Sequence, residues 1–424
     1  MNRMPKIVDL VILFLINLIL FNFPWHISII ISIFFFLGLF AFRTYDLEIM
    51  KSLNDSIIRV FLGLIVGSIF LLILYPLFLE NFINRRTFIY NILISIIIFP
   101  IMHKVYYKLF EKYEKPKRYL VIGRKEEIGD ILEEIQEKSL NKVIFVDYLN
   151  PSPVVLEKYV EEGLETKNKY DAILVADPSL KKKVEDKIEE YERKGIRVEY
   201  LPNLAEKYLK RIPLKVIEKF EEYYKISFRN VSESPAKRLL DIFGSIVGLI
   251  VFSPFMLIAA VAILIEDGRP VVFKQLRVGK DNSEFMLIKF RSMRKENKNE
   301  ARFVDDEKHR ILKIGKFIRP TRIDESLQFV NVLKGDMSIV GPRPEQIPFV
   351  RMFEQEIPYY SQRHRLKPGL TGWAQIMYKY SSSIEETKKK LSYDLYYIKN
   401  RNIFMDLMII LQTFEAVVWK RGAK

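Results

Sequence analysis

With 424 residues, 49% of them apolar and gathered in blocks, the chain is too hydrophobic for a simple soluble protein and is predicted to form two or three units, partly embedded in a membrane. Its formal net charge of +15 calls for an anionic partner; because the basic residues flank apolar segments instead of forming one stripe, lipid head groups are expected and nucleic acid is not. The absence of cysteine excludes disulfides, thiol catalysis and Cys-ligated metals, which leaves carboxylates, Lys, Arg, hydroxyls and the four His for any chemistry.

Four apolar runs come first: Ile7 to Phe23, Ile27 to Phe42, Ile57 to Leu79 and Phe88 to Met102. The third is long enough to span a bilayer at roughly 20 residues per crossing, and the others span with their flanks. No small-residue cleavage site follows the first run, which argues against a signal peptide. Arg3 and Lys6 precede the first run, Arg43, Lys51 and Arg59 lie in the second connection, and Lys104, Lys108, Lys112, Lys115, Lys117 and Arg118 follow the fourth. The positive-inside rule then puts both ends of a four-helix transmembrane bundle (residues 1–110) in the cytoplasm, with Arg85 and Arg86 counting against. Hardly any charge is expected inside this bundle, which argues against a transport path.

From Lys117 the pattern alternates: YLVIG, a charged helix from Glu126 to Lys138, VIFVDYL, a further helix, AILVADP and, after Gly195, IRVEYLP. Apolar runs separated by amphipathic helices predict a Rossmann-like α/β domain over residues 116–225. Gly123 and Gly129 stand where a dinucleotide fingerprint has its outer glycines, and Asp147 lies downstream, but Lys125 occupies the middle position. A bulky side chain there opposes close approach of a pyrophosphate. The domain is read as a degenerate fold used for packing, dimerisation or regulation, or as a sugar-nucleotide sensor.

The fifth apolar run, Leu239 to Ile265 (239–265), has Lys237 and Arg238 before it and Lys274, Arg277 and Lys280 after it. Both flanks carry the cytoplasmic signal, and Pro254 in the middle removes a backbone hydrogen bond, with Ser253 available to satisfy the freed carbonyl. A re-entrant membrane helix, a hairpin that enters and leaves by the same face, is predicted; a kinked but ordinary crossing is the alternative.

Asp324 and Glu325 follow next, just upstream of Pro342-Arg343-Pro344. Arg matches phosphate oxygens with its planar fork, and a proline on each side fixes its backbone beforehand. That arrangement suits a divalent metal, a diphosphate and a nucleophile. A plainer reading makes Thr321 to Asp324 a helix-capping pattern ahead of the apolar face of Leu327, Val330 and Leu333; a helix start would itself offer N–H groups to a phosphate. The stretch from Glu296 to Lys308 reads as a surface loop, and Phe404 to Trp419, interrupted by Asp406, Gln412 and Glu415, as an interfacial helix. His309 and His364 read as polar surface residues.

Five ordered blocks make the C-terminal half resemble the bacterial sugar transferases, the polyprenyl-phosphate hexose-1-phosphate transferases. They are Lys237-Arg238, KFRSM (Lys289 to Met293), Asp324-Glu325 with NVLKGDMSIVGPRPE (Asn331 to Glu345), KPGLTGWAQI (Lys367 to Ile376) and DLYYIKNR (Asp394 to Arg401). Where members of that family often read Asp-Glu-Leu-Pro-Gln, this chain has Asp-Glu-Ser-Leu-Gln. The resemblance implies a multi-domain membrane protein in which the bundle and the Rossmann-like module precede a mainly α catalytic domain (residues 234–424). It further implies transfer of a hexose-1-phosphate from a UDP-sugar to a polyprenyl (undecaprenyl) phosphate, with release of UMP. Asp324 is implied as nucleophile through a covalent aspartyl-phosphosugar, and Glu325 as its partner in holding Mg²⁺. Lys289 and Arg291 are candidate phosphate ligands, or residues snorkelling to the interface. Asp394 matches a position near the active site, or is a surface salt bridge. A bacterial inner-membrane protein is expected, with its catalytic domain on the cytoplasmic face, serving the first membrane step of exopolysaccharide, capsule or O-antigen assembly, and forming a homodimer. A non-enzymatic scaffold and a lipid-linked sugar flippase are the competing classes.

Overall fold

The computed structural model describes residues 4–78, 85–150, 152, 155–159, 170–229, 231, 233–294, 310–378 and 383–418. The chain falls into two compact units, residues 1–115 with 404–416, and residues 116–403 with 417–424.

In the first unit the four apolar runs become helices. α1 (Met4–Leu15) continues into one π-helical turn, Ile16–Leu20, and is followed by α2 (Trp25–Ala41), a short α3 (Leu47–Lys51), α4 (Leu53–Phe78) and α5 (Arg85–Tyr113). Leu13, Ile27, Ile31, Phe35, Leu64 and Phe99 form their common core. Among the described residues three helices of the chain are long and apolar enough to cross a membrane: Leu53–Leu72, Arg86–Tyr113 and Pro235–Asp267. α2 and α4 meet through glycines. A Cβ on Gly38 would lie 2.0 Å from the Gly63 carbonyl oxygen, and one on Gly67 2.7 Å from that of Phe34. Since only backbone is there to give way, Gly38→Ala must push the helices apart. It is expected to cost about 1–3 kcal/mol, read as a lowered Tm in detergent.

The expectation of a bundle almost free of buried charge is corrected. Asp9 and His103 are both fully buried, with His103 Nε2 2.8 Å from Asp9 Oδ2. Ser56 Oγ lies 3.2 Å from His103 Nδ1, and the Tyr106 hydroxyl donates to Asp9 Oδ1 at 3.1 Å. Ionisable groups are tolerated in such surroundings when they are partnered, and these partners lie 47 to 97 residues from one another in sequence, out of reach of a local pattern. The C-terminal helix Ile403–Val418 also differs from expectation. Its Asp406 and Gln412 are buried, and Gln412 donates to the Ala41 carbonyl at 2.5 Å, so residues 404–416 group with the N-terminal helices and not with the rest of 234–424.

The second unit opens with the predicted α/β pattern: β1 (Lys117–Ile122), α6 (Lys125–Lys138), β2 (Val143–Leu149), β3 (Ala172–Val175), α7 (Glu185–Arg193) and β4 (Arg197–Tyr200). All pairings are parallel, in the order β2-β1-β3-β4. Leu120, Ile122, Ile173 and Val175 fill one side of the sheet against Val184 and Ile188. Three helices lead out of it, α8 (Leu201–Leu209), α9 (Leu214–Lys219) and α10 (Glu221–Arg229).

The long α11 (Pro235–Asp267) is capped by Ser234, whose hydroxyl accepts from the Lys237 N–H at 3.3 Å. It runs through Pro254, and the Ser253 hydroxyl donates to the Ile250 carbonyl at 2.8 Å. That is the carbonyl which the missing Pro254 N–H leaves free, so the expected repair is present. Leu239, Phe243, Ile250, Leu257 and Ile265 are exposed along its outer face. Its inner face carries Gly244 against Ile339 and Gly248 against the Phe329 ring. An antiparallel hairpin follows, β5 (Val272–Val278) and β6 (Glu284–Phe290), then α12 (Gln328–Lys334). β7 (Ser338–Val340) pairs in parallel with β8 (Gly369–Thr371), and α13 (Ile384–Asn400) closes the unit.

Candidate active site

Lys237 and Arg238, at the start of α11, serve the backbone. Lys237 Nζ donates to the Val340 carbonyl at 2.9 Å, and Arg238 donates to the Val332 and Leu333 carbonyls at 2.7 and 2.8 Å. They tie α11 to β7 and to the C-terminal end of α12, the two elements on either side of the Asn331–Val340 block. Ile323 then packs with Ala259 and Ile263 of α11, which anchors the segment carrying the acids.

That segment is not the capped helix start that the Thr321–Asp324 spacing predicts. Arg322 adopts a left-handed conformation (φ 58°), Asp324 and Glu325 lie in the 3₁₀ turn Ile323–Glu325, and α12 begins only at Gln328. The Thr321 hydroxyl bonds back to the Phe317 and Ile318 carbonyls instead. The turn brings the Glu325 carboxylate against two arginines. Glu325 Oε1 accepts from Arg343 Nη2 at 2.7 Å and Oε2 from Arg322 Nη1 at 3.2 Å. Asp324 Oδ1 is buried and has no hydrogen-bond partner among the described residues.

The electrostatics separate the two acids. Burial and the adjacent Glu325 charge raise the Asp324 pKa to about 7, against the pull of Lys289, Arg319 and Arg322. Burial also acts to raise that of Glu325, but Arg343 and Arg322 outweigh it and hold the group at about 2. Lys289 is lowered by burial, with Asp324 and Glu325 opposing. Of the Asp324–Glu325 pair, Asp324 is therefore the more readily protonated, burial and the neighbouring charge acting on it together. Among the described residues no group of three or more His, Asp or Glu could hold a metal. Two adjacent carboxylates, one with an unbonded oxygen, still fit Mg²⁺, which binds through a few carboxylates and fills its remaining positions with water and substrate phosphate.

Pro342-Arg343-Pro344 is held by its backbone. The Gly341 N–H donates to the Thr371 carbonyl at 2.9 Å and the Gly369 N–H to the Pro342 carbonyl at 2.8 Å. Arg363 Nη2 donates to the Arg343 carbonyl at 3.0 Å, and Arg277 Nη1 to that of Pro344 at 3.1 Å. A Cβ on Gly369 would lie 2.0 Å from the Gly341 nitrogen, so this crossing of β7 and β8 demands glycine. The Arg343 side chain is left half-exposed, free to face both Glu325 and an incoming group.

Of the predicted site residues, Asp324, Glu325, Lys289 and Arg343 come together, with Pro342 and Pro344 as the frame. Arg291 does not join them. Its Nη2 donates to the Asp267 and Gly268 carbonyls at 2.7 and 2.8 Å and pairs with the Asp267 carboxylate at 3.1 Å, so it caps the C-terminal end of α11. Arg291→Met is accordingly expected to lower stability by about 1–3 kcal/mol in thermal unfolding while leaving the substrate KM near wild type. Asp394 is neither at the site nor on the surface: its carboxylate pairs with Arg363 at 3.0 Å in a buried position, behind the Pro-Arg-Pro turn. His364 is buried as well, edge-on to Tyr360, and burial pushes its pKa down to about 3. His309 and the loop from Glu296 to Lys308 lie outside the described residues. Missed in the sequence were Arg277, counted only for topology, and Arg319, Arg322 and Arg363. Arg319 and Arg322 could have been found from their place within the RPTRIDE run.

The family model described as bacterial sugar transferase matches residues 232–420. The chain is 45% identical over 189 residues to the UDP-N-acetylgalactosamine-undecaprenyl-phosphate N-acetylgalactosaminephosphotransferase of Aeromonas hydrophila, covering 44% of this chain and 45% of that protein. It is 41% identical over 180 residues to the UDP-glucose:undecaprenyl-phosphate glucose-1-phosphate transferase of Klebsiella pneumoniae, covering 42% and 39%. With the uncharacterized sugar transferase EpsL of Bacillus subtilis it shares 38% identity over 186 residues, which are 44% of this chain and 89% of the relative. The matched part thus spans less than half the length of the first two relatives.

Proposed function

Because the chain belongs to the bacterial sugar transferase family, we propose that it transfers a hexose-1-phosphate from a UDP-sugar to undecaprenyl or a related polyprenyl phosphate, releasing UMP. The observation that carries this reading is the unbonded, buried Oδ1 of Asp324 beside a glutamate that Arg343 holds ionised. Asp324 attacks the sugar-side phosphorus. A carboxylate O–P bond forms, the bridging P–O bond breaks, and its electron pair leaves with UMP. The phosphate oxygen of the polyprenyl acceptor then attacks the same phosphorus and releases Asp324. Arg343 and Lys289 offset charge on the phosphates in both steps. Mg²⁺ held by Asp324 and Glu325 would supply further neutralisation of the diphosphate.

The hairpin expected at Ser253-Pro254 is not formed, since α11 is one continuous helix through Pro254; in this reading it lies embedded in the cytoplasmic face of the membrane with both ends on that side. At 33 residues it is about 50 Å long, yet near its start Lys237 reaches the Val340 carbonyl, in its middle Gly248 meets Phe329, and at its end Arg291 holds Asp267. One folded unit with its basic groups contacts the helix at its start, middle and end, as expected of a helix embedded in the membrane surface and not of one that carries its end to the far side. The N-terminal helices are proposed as the multi-pass transmembrane bundle of an inner-membrane protein. UMP release by detergent-solubilised protein with Mg²⁺ and undecaprenyl phosphate tests the function. The donor panel should include UDP-glucose and UDP-N-acetylgalactosamine, the donors named in the two relatives. Release that depends on one donor and on the lipid supports the reading, and no release with any donor overturns it.

A further inference from the structure

Among the described residues of the α/β module, side chains stand where its fold would bind a nucleotide. Ligands of such sheets bind outside the C-terminal strand ends where the strand order reverses, here between β1 and β3. At that place Lys219 of α9 bonds both Glu127 and, at 2.8 Å, Asp177, while Arg124 reaches Glu127 at 3.2 Å. Two carboxylates and their own counter-ions thus occupy the position a diphosphate would need. Gly123 serves packing, since a Cβ there would meet the Ile128 side chain at 2.9 Å.

The opposite use is visible at the exit of the module. Glu206 of α8 accepts from Lys399 Nζ at 2.5 Å, from Asn400 Nδ2 at 3.0 Å and from the Tyr224 hydroxyl at 3.1 Å. The Ile212 N–H donates to the Ser392 carbonyl at 2.9 Å, and the Lys210 carbonyl accepts from the indole N–H of buried Trp373 at 2.9 Å. These contacts end on two elements that hold the Pro-Arg-Pro turn. Trp373 directly follows β8 and Gly372, and the β8 residue Gly369 bonds the Pro342 carbonyl. Ser392 stands two residues before Asp394, whose partner Arg363 bonds the Arg343 carbonyl.

We infer that the α/β module is a brace for the transferase site, with Glu206 and Trp373 as positioning residues that fix Arg343 through β8 and through the Asp394–Arg363 pair. The inference rests on the proposed function for its kinetic arm alone. This role requires neither a bound nucleotide nor a second copy of the chain.

The test uses the full chain with Glu206→Gln, which removes the charge and one acceptor oxygen at nearly constant shape, and Trp373→Phe, which removes the indole N–H together with part of the buried ring. UMP-release kinetics and amide hydrogen exchange over residues 338–345 are read in parallel. Expected is a kcat lower by about three- to tenfold with donor KM within about twofold, and faster exchange at 338–345 but not along α11. Glu206→Gln combined with Arg363→Lys should lose less than the product of the single losses. Lys219→Met, in the filled crevice, should change neither readout. Unchanged exchange at 338–345 with a lowered Tm would reduce the module to an attached domain, and strictly multiplicative losses would remove the Arg363 route. If the wild type releases no UMP with any donor, the transferase reading falls, while the exchange measurement still decides the brace.

Discussion

Asp324→Asn is expected to reduce UMP release by about 10³-fold or more while the protein folds and inserts as the wild type does. The amide has nearly the shape of the carboxylate and lacks only its charge and nucleophilicity. Its effect on stability separates chemistry from architecture. An acid whose pKa is raised on folding binds its proton more tightly in the folded state, so folding is increasingly opposed as pH rises from the unfolded to the folded pKa, and the opposition is complete above the latter. For Asp324, raised to about 7 by burial and by Glu325, the opposition is present from neutral pH upward and absent well below pH 4. Asn carries no such charge, so at pH 8 the variant should unfold at a Tm no lower than wild type. Glu325→Gln should behave in the contrary way, because it strips Arg343 and Arg322 of their shared partner. A phosphosugar trapped on the wild-type protein without acceptor, and absent from Asp324→Asn, would identify the intermediate. Retained transfer by Asp324→Asn would remove it as the nucleophile.

Sequence patterns with a short physical range were legible. The parallel sheet followed from apolar runs alternating with charged helices, and the repair of the Pro254 gap by Ser253 followed from backbone geometry alone. The approach of Arg343 to Glu325 was legible because two prolines leave the arginine few conformations. What failed were assignments that depend on where a long side chain ends. Lys289 and Arg291 are two residues apart, one inside β6 and one just past its end, yet Lys289 lies within electrostatic reach of the carboxylates while Arg291 turns back to the carbonyls at the end of α11. No local pattern distinguishes a guanidinium that meets phosphate from one that meets backbone oxygen, since both are anion-like acceptors. How Asp394 serves the site was not legible for a related reason: its effect reaches Arg343 through Arg363 and a main-chain carbonyl, two contacts away. Asp9 and His103 show the same limit in the N-terminal helices, where one is the single acid of the first apolar run and the other stands just past the fourth until folding joins them.

Arg343→Lys is expected to lower kcat by about 10²- to 10³-fold, the range for loss of one preorganised donor at a transition state. The backbone of the turn should survive, because the bonds at the Pro342, Arg343 and Pro344 carbonyls involve none of the Arg343 side chain. What changes is the fork. In the wild type, Nη2 holds Glu325 at 2.7 Å, and the other N–H groups of the same rigid plane remain to meet phosphate oxygens. A lysine ammonium is a point charge on a flexible stem, and once paired with Glu325 it presents nothing at a fixed angle to the donor. Arg343 is also the first of the charges that keep Glu325 ionised against its burial, a duty that the lysine charge can still perform. The kinetics then tell which of the two duties dominates. A fall in kcat with donor KM unchanged places Arg343 on charge that develops as the P–O bond breaks, whereas a raised KM with kcat preserved would confine it to binding the diphosphate in the ground state.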